Sequence, residues 1–489
     1  MTLLLGLDIG TTNIKAVATD LDGTILAEHS RSVEIFHLPN SAVRQKASDI
    51  IAASFDVLRK TAASVDASRI KGIGISGQGG AMQLLEPDYS PIGDVISWLD
   101  MTGDAEDQAF TVRMGHDWLA SRIGRRRSGF AIGQILRLHN ESPELLQPPR
   151  RVGFVGDVVT HALCGRSATD ATSLGLTLLY NPYMKDYDPE VLRELRIDKS
   201  QLPELLGPQH PAGTLLPEVA RQLGLSDDVF VSAPIHDQYA AALGTGVVHG
   251  GDVMFGAGTA WVLLAVSDRP VATATDDAFL CTHLVPDLYG QIVSLTNGGS
   301  SFQWAIHLLG LQSLTPEEID RMIYDVPAGC DGLHFRPLLA SFDVAGLNPG
   351  TRGQLTGLRL YHGQAHVMRA VVEGLACELF RYLRFLNNSG IAIKRLIMCG
   401  KAGTGIITPQ ILANVTDLPV MCASYSGASA LGAAVLAAGI MNPEEGLQHT
   451  AERMAASVRE VLPDHDRDFY RQLRQEYLAS LPWRSDWAT

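Results

Sequence analysis

Two carboxylates in this chain stand where apolar strands run out into turns. Asp8 closes the run Leu3-Leu-Leu-Gly-Leu-Asp8 and opens the turn Ile9-Gly10-Thr11-Thr12. Asp237 follows Val229-Phe-Val-Ser-Ala-Pro-Ile-His236 and precedes the small-residue stretch Tyr239-Ala-Ala-Ala-Leu-Gly244. A carboxylate at the C-terminal end of a strand, facing a cleft, is placed to act as a general base. The competing reading of Asp237 is a helix N-cap. Asp8 cannot bind phosphate itself, but it can hold Mg2+ or its waters beside phosphates. Around it, Gly10 makes the turn tight, Thr11 and Thr12 offer hydroxyls and Lys15 a cation; the competing reading is a plain hairpin with a solvated lysine. A second turn of this kind, Gly256-Ala-Gly258-Thr259-Ala260, separates strand-like 252–256 from 260–266. Turns of this type aim backbone N–H groups at an anion. One in each half predicts two related lobes closing on one phosphate chain, and so an ATP-using phosphotransferase.

Other residues fit a bound sugar or nucleotide. Gln78, with Gly79 and Gly80, and Trp98, with Asp100, end two strands expected to be neighbours; an amide, a carboxylate and an aromatic plane make a polyol pocket. Ordinary strand-end turns and a core tryptophan are the alternative. Gly298-Gly299-Ser-Ser-Phe-Gln303 and Gly400-Lys401-Ala-Gly403-Thr-Gly405 are turns before helices, each able to receive a base or phosphates. His236 reads as structural. Arg125-Arg-Arg127 reads as a solvated face, with a phosphate-bearing substrate as the other use.

These residues need a frame of strands and helices. Residues 3–8, 14–19 and 24–36 read as a β-meander with an Asp22-Gly23 turn. Ile50, Ile51, Phe55 and Leu58 give helical spacing over 47–64. A buried strand follows at 70–75, then a mostly helical region over 100–220. The meander returns from 251, with a third strand at 291–295. Helix 363–388, strand 395–399 and helices 408–416 and 427–439 complete the pattern. The order strand, strand, helix, strand, helix thus occurs twice, predicting a duplicated α/β fold with lobes 1–246 and 247–489.

The 489 residues suffice for two or more domains. A net charge of −14 argues against a nucleic-acid surface. The six cysteines are scattered without a CxxC pair, which fits reduced thiols in the cytoplasm. No basic leader precedes the first strand, and no apolar run is long enough to span a membrane; the Ala/Gly-rich 427–440 reads as a tightly packed helix.

On these motifs the chain resembles the FGGY carbohydrate kinases, of the actin/hexokinase/Hsp70 ATPase fold. Asp8-Ile-Gly-Thr-Thr12 is similar to the family's first phosphate loop and Gly258-Thr259-Ala260 to its second. His236-Asp237-Gln238 is similar to the catalytic segment, and Gly353 to Glu373 fits the C-terminal signature. The resemblance implies two ribonuclease H-like lobes with a central cleft, the N-terminal lobe binding sugar and the C-terminal lobe binding ATP. It implies Asp237 as base, Mg2+ at Asp8 and Asp237, and substrate contacts from Gln78, Gly79, Gly80, Trp98, Asp100 and Gln238. ATP is expected at Gly10, Thr11, Thr12, Lys15, Gly258, Thr259, Gly299, Gln303, Gly400, Lys401 and Gly405. The implied substrate is a sugar or polyol, with a ketopentose such as xylulose first; ribulose, glycerol, erythritol, sedoheptulose and a non-catalytic ATP-responsive switch remain alternatives. A homodimer is implied by the resemblance alone. The chain departs from xylulokinases in having Gln78-Gly79-Gly80-Ala81 where they carry Gln-Met-His-Gly. It also has Thr102 in place of an arginine, and Lys401 in a loop of glycines.

Overall fold

The computed structural model describes residues 2–257, 261–295, 297–339 and 344–485, with only the backbone at 401–402. The first large sheet is built from β1 (Leu3–Ile9), β2 (Asn13–Thr19), β3 (Ile25–Ser32), β4 (Ile70–Gly77), β5 (Pro211–Thr214) and β6 (Phe230–His236), in the spatial order β5-β6-β4-β1-β2-β3. β1 is buried along nearly its whole length, as an unbroken apolar run requires of a central strand. β3 lies at the edge and alternates between half-buried and exposed. The expected strand 24–36 stops at Ser32, because β2 begins at Asn13, opposite Ser32; beyond it Val33 N–H donates to the Thr12 carbonyl at 2.9 Å. Helix α1 (Ala47–Ala63) packs Ile50, Ala53, Val57 and Leu58 onto this sheet.

After helix α2 (Asp237–Gly244) the pattern repeats. The second large sheet comprises β7 (Asp252–Ala257), β8 (Trp261–Ser267), β9 (Phe279–Thr282), β10 (Tyr289–Leu295), β11 (Arg395–Cys399), β12 (Val420–Ala423) and β13 (Val458–Val461), in the order β9-β10-β8-β7-β11-β12-β13. Its central strand β7 pairs antiparallel with β8 and parallel with β11, as β1 does with β2 and β4. β9 is an extra edge strand that the sequence reading did not include.

A third sheet orders Phe36–His37, Val43–Gln45, Pro91–Ile96, Met82–Leu85 and Arg151–Phe154. The strands ending near Gln78 and Trp98 therefore lie in different sheets, not side by side as expected: beyond Gly77 the chain turns away and pairs Met82 with Phe154 and Ile96.

Helix α3 (Ala428–Met441) is buried all round and lies against β1, β4 and α2. Small residues permit backbone contact there. A methyl group on Gly74 would fall 1.7 Å from the Ala433 carbonyl oxygen, and one on Gly432 1.7 Å from that of Ala240. Gly6 and Gly244 meet the Ala430 and Ala428 oxygens in the same way.

Candidate active site

Register brings the two carboxylates together. Asp8 on β1 and Ile235 on β6 both pair with Ser76 on β4, so Asp8 and Asp237 leave the same end of the sheet, flanking β4. Asp8 is half-buried and accepts from Ser76 Oγ at 2.9 Å. Burial and then the Asp237 charge push its pKa up to about 7. Burial likewise pushes Asp237 up to about 6, against the hydrogen bonds of Gln238. Asp237 is the first residue of α2, not its cap; that position falls to His236, whose side chain makes no cap bond. Its helix engages the Asp237 carboxylate only through Gln238, and 28 % of the side chain remains exposed. Its carbonyl accepts from Ser429 of α3 at 3.2 Å.

His236, read as structural from sequence, belongs to this site. Its Nε2 lies 3.2 Å from Asp237 Oδ1, and burial lowers its pKa to about 3, leaving the ring neutral. Its Nδ1 is buried and has no partner among the described residues, so the tautomer with its proton on Nε2 is the one that leaves no buried N–H orphaned there. Gly79 admits this ring, since a methyl there would lie 2.6 Å from His236 Cδ2. No sequence signal separates such a histidine from a core one.

The turn after Asp8 is tight: a methyl on Gly10 would fall 2.6 Å from the Asn13 carbonyl oxygen. Thr11 Oγ1 accepts from Trp98 Nε1 at 3.0 Å, and the Thr11 carbonyl from Gln45 at 2.9 Å. Thr12 is exposed. Lys15 is held by Glu28 at 2.9 Å, beside the Tyr425 ring. Gln78 is buried; its Nε2 donates to Gln45 and its Oε1 has no partner among the described residues. Asp100, with a fully buried side chain, is saturated: it takes Arg44, the Val43 and Thr102 N–H groups, the Thr102 hydroxyl and Gln134 Nε2.

Two cavities gather other residues that the sequence singled out; Asp8, Gln78 and Asp237 line neither. One, of about 800 Å³, is bordered by Gly80, Trp98, Asp100, Asp107, Arg125 and Phe130. The ring of Phe130 lies 3.0 Å from where a side chain on Gly80 would begin. The arginine run is not a solvated face. Arg125 is only 11 % exposed and pairs with Asp277 at 3.0 Å, while Arg126 pairs with Asp276 at 3.0 Å. These partners come from the β8–β9 connection, which sequence spacing could not place there.

The second cavity, of about 690 Å³, gathers Gly299, Gln303, Gly400 and Gly405 with Trp261, Phe302 and Ala428. Gln238 lines this cavity rather than the one at Gly80, because it lies one residue into α2 and faces Gly256 of β7. The Gly258 and Thr259 turn, and the Lys401 side chain, lie outside the described residues.

Models of the N- and C-terminal domains of the FGGY family of carbohydrate kinases match residues 3–244 and 253–440. The chain belongs to that family. It is a carbohydrate kinase, with ATP as the phosphate donor expected of its members. A xylulose kinase of Lactococcus lactis is 27 % identical, covering 90 % of this chain and 88 % of that protein. An L-fuculokinase of Salmonella typhi is 27 % identical over 88 % and 91 %. A xylulose kinase structure from Lactobacillus acidophilus superposes with a TM-score of 0.89 at 22 % identity, covering 98 % and 97 % of the two chains. The fold is the two-lobed actin-like ATPase fold of these kinases. Among the described residues no helix is long and apolar enough to cross a membrane.

Proposed function

We propose that this kinase transfers the γ-phosphoryl group of ATP to the primary hydroxyl of a ketopentose such as xylulose. The observation that carries the reading is the pair Asp8 and Asp237 at adjoining strand ends, with a polar cavity at Gly80 and Trp98 and a second cavity at Gly299 and Gly400. The sugar occupies the first, and Gln78 Oε1, buried and unpartnered, accepts one of its hydroxyls. The nucleotide occupies the second. Asp237 accepts the proton of the attacking hydroxyl; the oxygen bonds to the γ-phosphorus as the bond to the β-phosphate oxygen breaks and ADP leaves. His236 Nε2 lies beside Oδ1, leaving Oδ2 for that proton. The Asp237 charge raises the cost of ionising Asp8, a cost that a divalent cation would offset. Mg2+ keeps waters and phosphate oxygens beside one or two carboxylates, and Asp8 and Asp237 would supply these. When bound, Mg2+ offsets charge on the β- and γ-phosphates.

The lobes divide near residue 246, and the free thiols of all six cysteines suit a reducing cytoplasm; a homodimer is the proposed assembly. The absence of side chains at Gly79 and Gly80, with Phe130 as the wall instead, favours a second reading in which another ketose or polyol is preferred. Coupled ADP release with MgATP over ketopentoses, deoxyketoses, heptuloses and polyols, against a blank without sugar, tests both. Saturable stimulation by xylulose supports the first reading and by another sugar the second. ATPase activity that no sugar stimulates removes both and leaves the switch.

A further inference from the structure

The glycine loop of the second cavity is held from two sides by side chains of opposite charge. Asp320 stands on helix Pro316–Tyr324, whose Ile319 and Ile323 are buried in the core. Its carboxylate accepts the backbone N–H of Ile406 at 2.7 Å, of Ile407 at 3.2 Å and of Thr408 at 3.3 Å. These are leading N–H groups of helix Ile407–Thr416, which have no acceptor within that helix. The residue before it, Ile406, has no side-chain oxygen to cap them. Opposite, Arg459 on the edge strand β13 donates Nη2 to the carbonyls of Gly403 at 3.2 Å and Gly405 at 2.6 Å. Gly405 has to be glycine, because a methyl there would fall 2.7 Å from Asp320 Oδ1.

We propose that Asp320 and Arg459 are positioning residues that set the Gly400–Gly405 loop in its nucleotide-receiving shape before the nucleotide arrives. The inference rests on reading this cavity as the nucleotide site. The physical need is plain: a segment with glycine at 400, 403 and 405 loses more backbone freedom on ordering than any other composition. If that ordering coincided with binding, it would be subtracted from affinity. Here it is completed during folding, by a carboxylate that takes the N–H groups and a guanidinium that takes the carbonyls. Both charges are engaged by backbone, so neither is offered to the ligand. The carboxylate also decides polarity. A helix N-terminus ordinarily attracts phosphate, but this one already carries an anion. The polyphosphate is thereby directed away from it, toward the β7 end and Asp8, and the nucleoside lies toward Asp320.

Titration calorimetry of the full chain with MgADP tests this, with Asp320→Ala and Arg459→Met. Each is expected to weaken MgADP by about tenfold or more. In steady state, KM for ATP rises by a similar factor, and KM for the sugar, bound in the other cavity, is the internal control. Asp320→Asn, which keeps an acceptor oxygen and guards against loss of fold, is expected to fall between wild type and Asp320→Ala. Amide exchange at 403–408 should quicken in both strong variants. MgADP affinity within about twofold of wild type for both strong variants overturns the proposal. Wild type that binds MgADP but phosphorylates no sugar leaves it standing and removes the kinase substrate reading. Wild type that binds no MgADP removes both.

Discussion

The two large sheets share one wiring and differ in what their strands end on. β1, β4 and β6 run out into Asp8, Gln78 and His236-Asp237. Their counterparts β7, β11 and β12 run out into Ala257, Gly400 and Ser424. One frame therefore presents carboxylates and an amide, which can move a proton and orient hydroxyls. The other presents small residues and bare backbone, which can approach a ligand closely. The fold fixes where strand ends converge; the residue types at those ends divide the labour between reacting and holding.

The largest expected effect breaks this division at its reacting end. Asp237→Ala should lower kcat by about 10²- to 10⁴-fold, the usual worth of a general base, while calorimetry still detects MgADP. Full turnover in that variant would remove Asp237 as base.

Next comes the seam where both halves meet. Gly432→Ala forces a methyl against the Ala240 oxygen and should cost about 4 kcal/mol or more, read by urea unfolding. Gly363→Ala, with nothing within 4 Å of the added methyl and an ordinary backbone angle, should be nearly silent. Equal effects at the two sites would show that the seam is not packed as described.

A smaller effect separates the cavities. Gln78→Leu removes the unpartnered acceptor and should raise the sugar KM by about tenfold with the ATP KM in place. A shift in the ATP KM alone would move Gln78 to the nucleotide side.

The smallest effect is in pH. Transfer needs ionised Asp237, so kcat should rise through about pH 6 to a plateau. Stability runs the other way. A carboxyl raised to about 6 binds more protons folded than unfolded between about pH 4 and 6, so its contribution is present below that window and lost above it. Asp237→Asn should therefore melt higher than wild type at pH 8 without nucleotide or metal, although it is inactive. A lower melting temperature for that variant would contradict the burial cost assigned here.

The strand ends at Asp8 and Gly400 were legible in the sequence, because each follows an unbroken apolar run. Two kinds of information were not legible. Partners across long separations leave no local trace: Arg125 with Asp277, and Asp320 with the N–H groups of 406–408, depend on how the chain returns. Side-chain role was also hidden where environment alone decides it. Asp100 looks like a sugar ligand in sequence but spends its oxygens on Arg44, Thr102 and Gln134. His236 looks inert but lies against Asp237. Gln238 sits beside Asp237 in sequence but lines the second cavity, because one step along a helix turns the side chain by about 100°.

Helix α3 bears on the order in which the protein comes into being. The sheet it covers is complete in sequence by His236, yet its covering helix is synthesised only at 428–441. At about 5–20 residues per second, the ribosome delivers that helix roughly ten to forty seconds after Gly244. During this interval the glycines of β1, β4 and α2 face no partner, and the nascent first half exposes the very stripe that has no side chains to shield it. The last quarter of the message thus governs when the first half of the protein is finished.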